Sequence, residues 1–152
     1  MSKLSQLYQQ LIIDHCKKPR NFGKPEHCTH HCEGHNPLCG DNISLYLEVD
    51  EEDIVQNIKF EGSGCSISQA SASMMTQSVK GKSKEEALQI FEEFQGMIMG
   101  NLDPEIEENK LGKLAVFSGV KEYPSRVKCA ILAWHALNGA INSDGKEVST
   151  EE

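Results

Sequence analysis

The spacing of the apolar residues changes from a period of two to a helical period between residues 62 and 65. Residues 43–50, ISLYLEVD, alternate apolar and polar side chains, and residues 54–62, IVQNIKFEG, place Ile58 and Phe60 on one face. A period of two is typical of half-buried strands, and the acidic stretch Asp50 to Asp53 between the two segments suits a turn. We therefore predict a β-hairpin, with the stretch before residue 36 as a possible third strand.

Segments with helical spacing lie on both sides of this hairpin. The first begins at the amino terminus and ends at KKPRNFGKP, where Pro and Gly stop a helix. Others are predicted over 65–81, with Ser66 and Gln69 as a capping box, over 83–100, with Ser83 at its start, and from Pro124 to Asn142. Residues 101–123 are less regular, and the chain from about residue 143 is a polar tail.

Length and charge limit the function. A chain of 152 residues favours one domain spanning 1–152, and the net charge of -8 argues against a nucleic-acid partner. We expect the amino-terminal stretch not to act as a signal peptide, and no apolar run approaches the roughly 20 residues needed to cross a bilayer. We expect a cytoplasmic protein without membrane contact, whose six cysteines remain reduced and are available for metal binding or catalysis.

Two of the cysteines lie in short motifs that favour a reactive thiolate. In NPLCGD, Cys39 and Asp41 are two residues apart, so that in extended backbone their side chains point to the same side. In GSGCSIS, the glycines lead from a strand into a helix and place Cys65 at the helix amino terminus. The helix dipole and the free backbone amides at such an end favour thiolate, which attacks sulfur and binds metal.

A third cysteine, Cys129 in RVKCAILAW, lies on the predicted last helix, and Arg126 shares its face. Together Cys39, Asp41, Cys65 and Cys129 form a donor set that suits tetrahedral zinc and does not suit magnesium or calcium. Because these residues are far apart in sequence, their spacing does not establish that they meet. The alternative is three unrelated structural thiols.

A rival cluster lies in HCTHHCEGH, residues 27–35, where every His and Cys is a potential zinc ligand. A structural zinc site usually takes a pair of ligands from each of two separated segments. We therefore expect a polar strand or loop from His27 to His35 rather than a second zinc site. Cys16 is expected in the core, and His135 is expected to be partly buried and not catalytic.

In these residues and motifs, the chain resembles the iron–sulfur assembly proteins related to IscU and the amino-terminal domain of NifU. The matching sequence motifs are IIDHCKKPRNFG, NPLCGD, GSGCSISQASASMM and RVKCAILAW. Within that family it is most similar to the SufU branch. Lys128 stands where scaffold members carry a His before the third cysteine, and residues 100–120 look like the insertion of the SufU branch. The motif IIDHCKKPRNFG departs from the family pattern at one position, because Cys16 stands where an aromatic residue is expected.

The resemblance implies an α+β fold with a small antiparallel sheet of about three strands covered by helices. It also implies that Cys39, Asp41, Cys65 and Cys129 hold zinc, and that Cys39 accepts persulfide sulfur from a PLP-dependent cysteine desulfurase. Arg126 would support the thiolate or the docking of that partner. The sulfur would pass to downstream iron–sulfur assembly machinery.

Two alternatives remain open at this point. The same thiols could assemble a [2Fe–2S] cluster in a scaffold protein, since cysteines and Asp41 can bind iron. The chain could also be a non-catalytic, zinc-stabilised adaptor for the desulfurase.

Overall fold

The computed structural model describes residues 3–36, 40–104, 109–143 and 148–149. The elements follow one another as α1 (Lys3–Lys17), β1 (His30–Asn36), β2 (Asp41–Val49), β3 (Val55–Ser63), α2 (Ser66–Val79), α3 (Lys84–Ile98), a 3₁₀ segment (Gly112–Glu122), α4 (Pro124–Ser143) and β4 (Val148–Ser149). The predicted hairpin is β2 and β3, and the possible third strand is β1.

The sheet has the order β3-β2-β1-β4. Strands β1, β2 and β3 are antiparallel, as the predicted fold class requires, and β4 pairs in parallel with Gly34 and His35 of β1. The polar tail therefore contributes a short edge strand, which the sequence analysis did not predict. In β1 and β2, Asn36 is the direct partner of Asp41, so that the last residue of one strand and the first of the next lie at the same end of the sheet.

The inner face of the sheet carries the alternating residues of the hairpin. Ile43, Leu45, Leu47, Ile58 and Phe60 are at most 1% exposed. Helix α4 packs against β1 and β2, helix α2 packs against β3, and α1 packs against α2. Because α2 has neighbours on several sides, nearly all of its residues from Ser68 to Thr76 are buried, and its small side chains allow the close approach.

Trp134 of α4 forms the centre of the core. Its ring is fully buried and stacks on Phe94 of α3, with 4.7 Å between the ring centroids. Its indole N–H donates to Ser71 Oγ over 3.2 Å, and that hydroxyl donates to the carbonyl of Ala130 over 2.6 Å. These contacts hold α2 and α4 in fixed relative positions, and both helices carry candidate site residues.

Two local expectations about the helices were wrong. Cys16 is half-buried rather than a core residue, because His15 takes the inward position on α1 and meets Ser73 of α2. Helix α2 has Cys65 as its N-cap residue, so Ser66 and Gln69 do not form the predicted capping box. The prediction for α3 was correct, since Ser83 Oγ accepts a hydrogen bond from the Glu86 N–H over 3.1 Å.

None of the helices in the described part of the chain combines the length and the apolar character needed to cross a membrane.

Candidate metal centre

Three predicted site residues meet at one end of the sheet. Asp41 begins β2, Cys65 is the N-cap residue of α2, and Cys129 lies in the second turn of α4. One oxygen of Asp41 and the two sulfurs all lie within 4.8 Å of one another. Among the described residues, this is the one group of three or more His, Cys, Asp or Glu side chains close enough to share a metal ion.

Asp41 links the sheet to helix α2. Its side chain is fully buried, and Oδ1 accepts a hydrogen bond from the backbone N–H of Cys65 over 2.7 Å. The other carboxylate oxygen lies 3.7 Å from Cys65 Sγ. A carboxylate at this position also interacts favourably with the amino-terminal end of the helix dipole. Asp41 therefore fixes where the helix begins and keeps one oxygen directed at the thiol.

Gly64 makes this approach possible. Its φ of +144° is rarely adopted by other residues, and a Cβ built on it would lie 2.1 Å from Asp41 Oδ1. The glycine before Cys65 is therefore required by the carboxylate that packs against it, in addition to its own backbone conformation.

Cys129 is almost completely buried, at 3% exposure, and has a hydrogen-bond donor beside its sulfur. The side-chain amide nitrogen of Asn36 lies 3.8 Å from Cys129 Sγ. Asn36 was not among the predicted site residues, although it is the first residue of the NPLCGD motif and ends the strand beside Asp41.

The centre opens into a groove between α1, α2 and α4. The groove has a volume of about 440 Å³ and is lined by Gln9, Ile12, Ile13, Cys65, Ser66, Ile67, Ser125, Arg126 and Cys129. Its wall is mostly apolar, with Arg126 as the charged residue at the edge. The Arg126 guanidinium lies over the ring of Tyr123, 4.9 Å from the ring centroid. Cys65, which is half-buried, is therefore accessible from a surface that combines apolar contact with one positive charge.

Cys39, the predicted sulfur acceptor and fourth ligand, lies outside the described residues. The described residues on either side of positions 37–39, Asn36 and Gly40, are joined by a backbone hydrogen bond of 2.8 Å from the Gly40 N–H to the Asn36 carbonyl. Gly40 has φ +73°, a conformation that favours glycine. The assignment of Cys39 stays a prediction.

The rival cluster does not form a comparable centre within the described residues. Strand β1 includes His30 to His35, and its alternation buries Cys32 while His31 stacks on Tyr46 of the outer face. The expectation of a polar strand is confirmed. His135 is half-buried and contacts the ring edge of Phe91, and burial lowers its pKa, as expected for a histidine that is neutral in the fold.

The donor set fits zinc. Tetrahedral zinc, with Zn–S distances of about 2.3 Å, brings ligand atoms to about 3.8 Å from one another. The three described atoms lie within 4.8 Å of one another, so small side-chain movements would bring them to this geometry. Two soft sulfurs with one carboxylate suit zinc or iron and do not suit magnesium or calcium, which prefer oxygen ligands. The three residues leave one tetrahedral position for a further ligand.

Comparison with known proteins decides the family. The model of the NifU-like N terminal domain matches residues 7–143. The chain belongs to this family. The match includes every residue of the candidate metal centre, and it confirms the resemblance found in the sequence.

Curated relatives in the family carry two different descriptions. The chain is 45% identical, over 93% of its own length and 86% of the relative's, to the iron-sulfur cluster assembly scaffold protein IscU of Streptococcus pyogenes serotype M1. It is also 45% identical, over 92% of both chains, to the zinc-dependent sulfurtransferase SufU of Bacillus subtilis strain 168. Identity alone therefore places the chain among homologues of iron–sulfur assembly proteins and does not choose between the two activities.

A solved family structure has the same fold. A crystal structure described as a candidate iron–sulfur cluster assembly scaffold protein for the SUF system, from Fervidobacterium islandicum AW-1, superposes with a TM-score of 0.83. It is 39% identical, and the match covers 90% of this chain and 98% of that one. The α+β fold class predicted from the sequence is confirmed.

Proposed function

We propose that this protein is a zinc-dependent sulfurtransferase. It accepts persulfide sulfur from a PLP-dependent cysteine desulfurase in the cytoplasm and passes the sulfur to iron–sulfur cluster assembly. The observation that carries the proposal is the convergence of Asp41, Cys65 and Cys129, within 4.8 Å, beside an open groove.

Lys128, the residue before Cys129, favours sulfur transfer rather than cluster assembly as the function of the protein. Scaffold members of the family carry a histidine there as a ligand, as the resemblance in the sequence implies. Lys128 occupies this position and lines a separate cavity of about 420 Å³ together with Ile131 and His135. The relative described as a zinc-dependent sulfurtransferase matches the chain over 92% of both lengths. These observations favour a centre with three cysteines and one aspartate.

Each residue has a distinct role in this proposal. Asp41, Cys65 and Cys129 would hold zinc together with Cys39. When bound, zinc would keep its thiols deprotonated at neutral pH and allow one of them to exchange. Arg126 would attract an anionic partner group to the groove that leads to the thiols.

The transfer itself is a thiol–persulfide exchange. The thiolate of Cys39 attacks the terminal sulfur of the partner's cysteine persulfide, so a new S–S bond forms on Cys39 while the partner's S–S bond breaks. The electron pair of the broken bond leaves on the partner's cysteine sulfur, which becomes a thiolate. The terminal sulfur keeps its proton or charge as it moves, and no external oxidant or reductant is needed.

Cluster assembly is the second candidate function. A relative of equal identity is described as an assembly scaffold, and two thiols with a carboxylate are also suitable ligands for iron. The two functions differ in what they need from the metal. A sulfurtransferase works with zinc in place and without iron, whereas a scaffold must bind iron on the same thiols.

The deciding experiment measures turnover of a cysteine desulfurase from the same organism with free cysteine and no added iron. The assay contains either zinc-loaded protein or the same protein stripped of metal. We expect a saturable acceleration by the zinc-loaded form alone. If the zinc form is inert or inhibitory, and the stripped form develops an iron–sulfur chromophore when iron is supplied, the protein is a scaffold.

A further inference from the structure

We propose that Asn36 is a positioning residue of the metal centre, whose amide donates to the Cys129 sulfur and makes Cys129 a ligand that resists exchange. The inference rests on the proposed zinc centre and adds a division of labour among its thiols. Cys129 would stay bound while exchange takes place at another cysteine.

The contact is built from two distant parts of the chain. Asn36 ends β1, Cys129 lies 93 positions later on α4, and the amide nitrogen is 3.8 Å from the sulfur. Both residues are buried, with Asn36 fully inaccessible and Cys129 3% exposed. A hydrogen bond between two buried groups is not weakened by competing water, and low local polarity strengthens it.

An amide donor changes the chemistry of a thiolate. The N–H group draws electron density from the sulfur lone pairs, which lowers the ability of that sulfur to attack an electrophile. It also holds the sulfur in one orientation. Hydrogen bonds from outside the ligand shell orient metal ligands and tune the metal in this way, and they are important for affinity.

The thiols of Cys65 and Cys129 differ in the group that lies beside the sulfur. Cys129 Sγ has the donor group of Asn36 beside it, whereas Cys65 Sγ lies 3.7 Å from Oδ2 of Asp41, an acceptor. Cys65 is also half-buried, whereas Cys129 is buried. Burial and hydrogen bonding therefore both make Cys129 the less reactive of the two.

The charge of the centre explains why asparagine suits this position. The strand register places Asn36 opposite Asp41, and its amide nitrogen lies 3.8 Å from the Cys129 sulfur. Aspartate has the same size but would direct a negative oxygen at the thiolate. Asparagine supplies the donor without adding a charge to a centre that already contains a carboxylate.

The test replaces Asn36 by leucine, which has a similar size and no donor. Asn57→Leu is the control, because Asn57 is also a strand residue and its side chain accepts from the Ile58 N–H, away from the centre. Zinc affinity is measured by competition with a chelator, and cobalt-loaded protein is used to record the sulfur-to-metal charge-transfer band. Alkylation of the zinc-loaded protein, followed by peptide mapping, gives the ratio of modified Cys129 to modified Cys65.

We expect Asn36→Leu to weaken zinc binding by about 10- to 100-fold, the usual effect of losing such a partner. The cobalt charge-transfer band should move to lower energy, because a sulfur without its donor holds its electrons less tightly. The ratio of modified Cys129 to modified Cys65 should rise. None of these quantities should change in Asn57→Leu.

A second measurement does not depend on a variant that folds. In wild-type protein loaded with an NMR-active cadmium isotope, the Asn36 side-chain amide proton should show a coupling to the metal through the hydrogen bond and the sulfur. Absence of that coupling, or an Asn36→Leu variant that folds and keeps the wild-type affinity and cobalt band, overturns this proposal alone. Wild-type protein that binds neither zinc nor cobalt overturns it together with the proposed function.

Discussion

The backbone N–H of Cys65 donates to Oδ1 of Asp41, with 2.7 Å between nitrogen and oxygen. This single bond joins the first residue of β2 to the N-cap residue of α2. A carboxylate that is a candidate metal ligand therefore also fixes the start of a helix. Any change that moves Asp41 should affect both the helix and the metal centre.

Gly64→Ala tests this coupling. The added Cβ would lie 2.1 Å from Asp41 Oδ1 and would force a backbone φ of +144° on a residue that rarely adopts it. We expect a loss of stability of about 1 to 3 kcal/mol from the strain and a clear loss of zinc affinity from the displaced carboxylate. Urea unfolding and chelator competition measure the two effects.

Gly81→Ala is the matched control for Gly64→Ala. Gly81 also has a positive φ, +87°, but a Cβ there would meet nothing within 4 Å. It should lose about 1 kcal/mol of stability from its backbone conformation and keep wild-type zinc affinity. Equal losses of zinc affinity in both variants would show that the contact with Asp41 is unimportant.

Cys39→Ala tests the acceptor assignment. After incubation with the desulfurase and cysteine, mass spectrometry should find persulfide on the wild-type protein and none on the variant, and stimulation of the desulfurase should fall to background. Cys28→Ala serves as control, because Cys28 is an exposed thiol outside the centre and should leave both signals intact. Undiminished sulfur transfer by Cys39→Ala would refute the assignment. If the wild-type protein stimulates the desulfurase but carries no persulfide itself, the result would instead favour the non-catalytic adaptor.

Ser71→Ala tests how the two site helices are held together. The Ser71 hydroxyl accepts from the Trp134 indole and donates to the Ala130 carbonyl. Removal of the hydroxyl leaves the buried indole N–H of Trp134 without its acceptor. We therefore expect the free energy of unfolding to fall by about 1 to 3 kcal/mol. In a Trp134→Phe background the same change should cost less, and a double-mutant cycle with no coupling would contradict the prediction.

The sequence predicts those elements whose cause is local. Alternation in residues 43–62 predicts β2 and β3, because one face is buried and the other is not. Ser83 marks the start of α3 through its own capping bond. The motif cysteines are predicted as site residues because their local settings, a helix start and a nearby arginine, are visible in a single sequence.

Relationships between distant segments were not visible in the same way. Strand β4 has two residues and forms because β1 offers an edge, so no pattern of its own predicts it. His15 rather than Cys16 turns inward because Ser73 lies across from it on another helix. The donor contact of Asn36 with Cys129 depends on strand register and helix packing together.

Stability should fall as the pH drops below 6.5. Burial, assisted by the charge of Arg20, lowers the pKa of His15 below 6.5, and burial lowers that of His135. The folded state therefore keeps both histidines neutral in a range where the unfolded chain takes up protons. The contribution of the neutral histidines to the free energy of unfolding is fully present well above pH 6.5. It decreases as the pH falls through 6.5 towards the folded pKa values, with a slope of at most about 1.4 kcal/mol per pH unit for each histidine.

His15→Gln should reduce this dependence on pH. Glutamine keeps a polar group near Ser73 Oγ, which lies 2.7 Å from His15 Nδ1, and does not titrate. Urea unfolding of both proteins at about pH 7.5 and about pH 5.5 should give a smaller difference for the variant. Equal differences would mean that His15 takes up its proton in the folded state as readily as in the unfolded chain.

Removal of zinc should leave the fold intact. The core around Trp134, Phe94 and the hairpin residues is packed by buried side chains that are not metal ligands, so the stripped protein should still unfold cooperatively on heating. Added zinc that binds only the folded protein should then raise the free energy of unfolding, and with it the melting temperature. The gain is about 2.7 kcal/mol at a free zinc concentration 100 times the dissociation constant. Calorimetry of stripped and zinc-loaded protein measures both quantities. A stripped protein without a cooperative transition would show that zinc is a structural requirement, and the adaptor alternative would then become the better explanation.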